Sequence, residues 1–173
     1  MEPFIALIVV TLVLLLLGRM GVTRLRPWVV PLRGGLATMF LMTGGAHFIG
    51  MREELIRMVP PLLPEPGLII TVTGVLELLG AAGLLWRRTA PLAAACLSAL
   101  LVLMFPANVY AALAGVLTSP YDQLVPRTAM QVVFLAATLA VVLHHVRTRR
   151  RAGALGLALS PFTWRLGKKA TVE

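Results

Sequence analysis

The chain has 173 residues, 58% of them apolar and 13% charged, with a single cysteine and a formal net charge of +9. An apolar share above the roughly 45 to 50% of ordinary soluble domains excludes a water-soluble globule and makes the bilayer the solvent. The positive charge does not imply nucleic acid, because seven of the 16 Lys and Arg lie from Arg147 onward and others flank apolar runs, as topology signals do.

The first apolar run, Phe4 to Leu17, reaches about the 18 residues needed to span a bilayer when continued to Met20 or Val22. It begins Met1-Glu2-Pro3 and runs into Arg19, Arg24 and Arg26, without the basic start and small-residue cleavage site of a signal peptide. Residues 1–22 are therefore expected to form an uncleaved transmembrane helix. Four further spans are expected within residues 28–146: Val29 to Gly50, Gly67 to Trp86, Ala90 to Gly115, and Leu124 to Val146. Pro27 and Pro31, the Pro60 to Gly67 stretch, and Ser119-Pro120 punctuate them. Only Arg87-Arg88-Thr89 separates the third and fourth spans, which demands an antiparallel hairpin.

Between the second and third spans, Met51 to Val59 carries apolar residues at 51, 55, 58 and 59, the spacing of an amphipathic turn lying at the membrane surface. Residues 147–173 read as a basic cytoplasmic tail. Within it Leu155 to Lys169 fits an interfacial segment and a loose tail equally well.

Basic side chains are retained on the cytoplasmic side of bacterial membranes, so their alternation orients the chain. Arg19, Arg24, Arg26, Arg33, Arg87, Arg88 and the seven of the tail fall on one side, thirteen in all; Arg52, Arg57 and Arg127 fall on the other. This distribution predicts an inner-membrane protein with its N-terminus outside and its C-terminus in the cytoplasm.

Polar groups at membrane depth carry the functional reading, since a charge at mid-bilayer costs at least about 2.5 to 3.5 kcal/mol. Glu77 lies ten residues into its span, about 15 Å deep at 1.5 Å per residue. Thr73, Gly74, Gly80 and Ala81 share its face, so another helix can approach closely. His47 has a like setting beside Thr43, Gly44 and Gly50, near the outer end of its span. Asn108 and Gln131 bring one polar group each from the fourth and fifth spans, and with Tyr110 and Arg52 nearby the six residues are expected to form an outward-facing binding pocket. The alternative is a set of interhelical hydrogen bonds of about 0.6 kcal/mol each.

No catalytic residue set or metal site is assigned. His144-His145 are adjacent, point about 100° apart and chelate poorly. The eight methionines, scattered without paired histidines or cysteines, read as core packing rather than copper ligands. Cys96, alone in an apolar run, forms no intramolecular disulfide and reads as a small core residue. No phosphate loop, nucleophile elbow or zinc spacing is present.

Four motifs in order, Gly44-Gly45-Ala46-His47-Phe48, Met58 to Pro64, Thr73 to Gly80, and Phe105-Pro106-Ala107-Asn108-Val109-Tyr110, resemble the DoxX-like family of small bacterial membrane proteins. The resemblance covers about Leu32 to Leu143. It implies an all-α transmembrane bundle with a four-helix core, to which the N-terminal helix is an addition, and it falls on His47, Glu77, Pro106 and Asn108. The family is named for likeness to a subunit of a thiosulfate:quinone oxidoreductase. The reading favoured is a non-catalytic accessory or scaffold subunit of a membrane redox or stress-response assembly, bound to partner proteins in the bilayer. The runner-up is a quinone-interacting oxidoreductase subunit, with quinone as the one cofactor in view, followed by a small-solute or proton transporter using Glu77. Nothing in the residues sets an oligomeric state.

Overall fold

The computed structural model describes residues 2–115 and 124–167, with side chains as far as residue 152. Its elements are α1 (Glu2–Arg19), a 3-10 turn (Thr23–Leu25), α2 (Val29–Ala46), α3 (Arg52–Met58), α4 (Pro66–Leu85), α5 (Ala90–Leu113) and α6 (Leu124–Gly167), with no strand among the described residues. The Ser119-Pro120 breaker lies outside them, as do the side chains of the Leu155 to Lys169 segment. The chain divides into two units, residues 1–142 and 143–173.

Four helices are long and apolar enough to cross a membrane: α1, α4, α5, and α6 over Leu124–Ala152. The expected second span, α2, is not among them. It matches α1 in length at 18 residues, but Arg33, Thr38, Thr43 and four glycines dilute its apolar content. It is also the most enclosed helix, with buried residues from Val29 to Gly44, whereas only Leu7 and Gly18 of α1 are buried. A helix sheathed by its neighbours has little need of lipophilic surface. The other helices turn large apolar side chains outward, among them Leu12 and Leu16, Leu79 and Leu85, Leu92 and Leu103, Val125 and Val132. Such continuous apolar exposure is foreign to soluble monomers and suits acyl chains. The protein is a helical membrane protein.

Small residues set the helix contacts of the first unit. A Cβ on Gly35 would strike the Leu7 carbonyl of α1, one on Gly44 would come within 3.1 Å of Glu77 Cβ, and one on Gly83 would lie 2.8 Å from Ala93 Cβ. α1 thus packs on α2, α2 on α4, and α4 on α5, the last two as the tight hairpin predicted at Arg87-Arg88-Thr89. Phe40, Leu36, Leu84, Leu97 and Val141 fill the core between them. Ser98 donates to Thr138 Oγ1 at 2.8 Å, tying α5 to α6 inside that core.

Arg33, counted in the sequence as a loop charge, is a buried residue of α2. Its Nε donates to Leu84 O at 2.6 Å and its Nη2 to Leu85 O at 2.8 Å, capping the last carbonyls of α4. Cys96 is a second departure: it is exposed on α5 rather than in the core, because the buried stripe of that helix runs through Ala93, Ala94, Leu97 and Leu100.

α2 stops at Ala46, four residues before the expected Gly50, and Gly50 turns the chain with a φ of 83° that favours glycine. The amphipathic stretch after it forms α3, whose Met58 is buried. α6 continues past Val146 to Gly167, where a tail was expected. The residues just beyond Val146, Arg147 to Ala152, contain no glycine or proline and are mostly strong helix formers. Arg147, Arg149, Arg150 and Arg151 are exposed there.

Candidate functional site

A cavity of about 610 Å³ opens within the first unit, walled by α1, α2, α3, α4, α5 and α6. Its lining lies mostly in the half of each helix remote from Arg19 and Arg87-Arg88. Phe40, Leu55, Leu101 and Phe134 give it an apolar wall, and six of the eight methionines, Met39, Met42, Met51, Met58, Met104 and Met130, also line it. Methionine was expected in the core, and only Met39 and Met58 are buried there. The thioether side chain is flexible and polarisable, so a methionine wall adapts to the shape of an apolar guest.

Polar groups enter this wall at a few points. His47 follows the last turn of α2, is 3% exposed, and sits where Gly74 lets it approach α4. Its Nδ1 lies 2.8 Å from Thr43 O. Since a carbonyl only accepts, the proton is on Nδ1 and the partner fixes the tautomer. Nε2 is buried without a hydrogen-bond partner. Glu77, near the middle of α4 and 4% exposed, accepts from Thr43 Oγ1 at 2.6 Å. Among the described residues no direct hydrogen bond or ion pair joins the imidazole to the carboxyl group. Thr43 joins them, through its carbonyl to one and its hydroxyl to the other.

Asn108 and Gln131 line the same cavity. Asn108 Oδ1 accepts from Arg127 Nη1 at 3.0 Å, which leaves its Nδ2 as a donor. Gln131 Nε2 donates to Leu101 O at 2.5 Å. That carbonyl lies on α5, five residues before Pro106. Gln131 therefore serves α5 as well as the cavity.

Two expected pocket residues are placed elsewhere. Arg52 does not line the cavity; its guanidinium donates to His47 O at 3.2 Å, Gly67 O at 3.2 Å and Thr71 Oγ1 at 3.0 Å. It clamps the turn after α2 to the start of α4 and so fixes His47 through its backbone. Tyr110 is half-buried on α5 and off the lining. Two residues from Asn108 is about 200° around a helix, so the two side chains cannot share a face.

Thr43, Arg127, Glu2 and the methionines were missed as lining residues. Thr43 had been noted only as a small neighbour and Arg127 only as a topology charge. Among the described residues no cluster of three or more His, Cys, Asp or Glu could hold a metal ion, and the His144 and His145 rings meet edge to face, 5.6 Å apart.

Comparison with curated proteins and with solved structures gave no match. The model of one family, described as Domain of unknown function (DUF8561), matches residues 36–142. The matched stretch starts inside α2 and ends in α6, so it takes in His47, Glu77, Asn108 and Gln131 and leaves out α1. With well over half of its length matched, the chain belongs to the DUF8561 family.

Proposed function

We propose that the protein is an accessory membrane subunit of the DoxX-like type, whose cavity holds a quinone-type lipophile for a membrane redox or stress-response assembly. The observation that carries this reading is His47, a lining residue of an otherwise largely apolar cavity whose Nε2 is buried without a hydrogen-bond partner. Ligand sites are mostly apolar clefts of roughly 300 to 1,000 Å³ with a few placed polar groups, and this cavity has that size and that make-up. Glu77, held by Thr43, offers a carboxyl group for proton exchange with the headgroup. The sequence resemblance to a family named for a quinone-reducing complex points the same way.

The basic residues support an inner-membrane setting with the N-terminus outside. In that orientation the cavity belongs to the outer half of the bilayer.

Protein purified in mild detergent should carry quinone detectable by mass spectrometry after solvent extraction. Glu77→Gln, which keeps the shape and the Thr43 contact, should lower the retained amount several-fold while leaving the melting temperature near that of the parent. A preparation that contains neither quinone nor quinol, and takes up neither the oxidised nor the reduced form of a decyl-tailed benzoquinone, would end this proposal.

A further inference from the structure

This inference rests on the cavity holding a lipophile with a polar head, as proposed above, and adds which polar head it takes. It starts from the two ring nitrogens of His47. Nδ1 faces a carbonyl at 2.8 Å and must carry a proton. The ring makes no ion pair and is 3% exposed, conditions in which a second proton is costly. Nε2 therefore keeps its lone pair, and it has no donor.

Two side chains around the cavity spend a donor on the protein itself. The Thr43 hydroxyl faces Glu77 Oε2, and Gln131 Nε2 faces Leu101 O. Asn108 is oriented by Arg127 so that its amide nitrogen remains to donate, which suits an oxygen acceptor on a ligand. The missing partner at His47 is a hydrogen-bond donor. Phe40 and Phe134 on the wall suit a flat ring.

We infer that His47 Nε2 accepts a hydrogen bond from a ligand hydroxyl, so that the cavity selects a phenol-type lipophile: the hydroxyl-bearing, reduced member of a quinone pair over the dicarbonyl form.

The test compares 4-nonylphenol with 4-nonylanisole, which have the same tail and ring, the second with its hydroxyl proton replaced by methyl. Each is titrated calorimetrically into the full-length protein in micelles, with empty micelles subtracted. The phenol should bind at least about tenfold more tightly, about 1.4 kcal/mol, and His47→Phe should bring the ratio close to one. Because the chain has three histidines, the ¹⁵N resonance of His47 Nε2 can be assigned by elimination variants at His144 and His145. It should move on adding the phenol and stay on adding the ether, a readout that does not depend on how well His47→Phe folds. Equal affinity for the two probes, or a still Nε2 resonance, overturns the hydroxyl assignment while the lipophile cavity stands. Binding of neither probe above empty micelles overturns both.

Discussion

The meeting of α2 and α4 at Gly74 can be tested by adding one methyl group. A Cβ there would lie 2.5 Å from His47 Cβ and 2.9 Å from both His47 Cγ and Phe48 Cε2. Carbon atoms in contact prefer about 3.5 to 4.0 Å, so the gap must widen by roughly 1 Å. His47 Cβ is fixed to the backbone, so rotating the ring gives no relief; the end of α2 itself must move. Overpacking of this kind costs about 1 to 3 kcal/mol, and replacing a mid-helix glycine by alanine returns about 0.5 to 1 kcal/mol. Gly74→Ala should lose about 1 to 2 kcal/mol, or several degrees of melting temperature for a chain of this size. Gly45, on α2, meets nothing within 4 Å. Gly45→Ala should therefore be neutral or slightly stabilising. Circular dichroism melts of the three proteins in one mild detergent decide the matter. Gly74→Ala melting at or above the parent, or Gly45→Ala falling as far, would show that the close approach does not bear on stability.

Arg33→Ala should cost about 3 kcal/mol in the same melts, because it removes two charge-assisted hydrogen bonds to the Leu84 and Leu85 carbonyls. Arg33→Lys should recover less than half, since an ammonium group cannot match two carbonyls with a planar fork; full recovery would reduce the cap to a simple charge effect. The orientation is tested in a Cys96→Ser background, itself expected to be near neutral because Cys96 is exposed. There Leu62→Cys, 95% exposed between α3 and α4, should react with a membrane-impermeant maleimide in intact cells, and Arg88→Cys only after lysis. The reverse pattern would invert the topology.

The helices and their partners differ in how plainly the residues announce them. α1, α4 and α5 follow from long, mainly apolar runs bounded by proline, glycine and arginine. α2 carries a weaker signal because burial by neighbours, not lipid, selected its residues. His47 and Glu77 were legible as rare polar groups on glycine-rich faces. Thr43 was not, because a threonine in a membrane helix ordinarily returns its hydroxyl to its own backbone, as Thr73 does to Ile69 O and Ile70 O. The methionines of the cavity were illegible as a set because they converge from α2, α3, α5, α6 and the turn before α3, with no shared period along the chain.

Arg52 and Tyr110 show why residue type alone could not delimit the site. Arg52 has the charge and the position for a pocket, yet three acceptors at the edge of α4 and the end of α2 engage it. Tyr110 has the chemistry and the wrong side of its helix. His47, by contrast, keeps one ring nitrogen over after the other has bonded Thr43 O. What marks a binding group is the atom that folding leaves without a partner, and that depends on every neighbour's hydrogen bonds at once. A sequence displays which groups are costly to bury; the folded chain displays which of those costs has not been met.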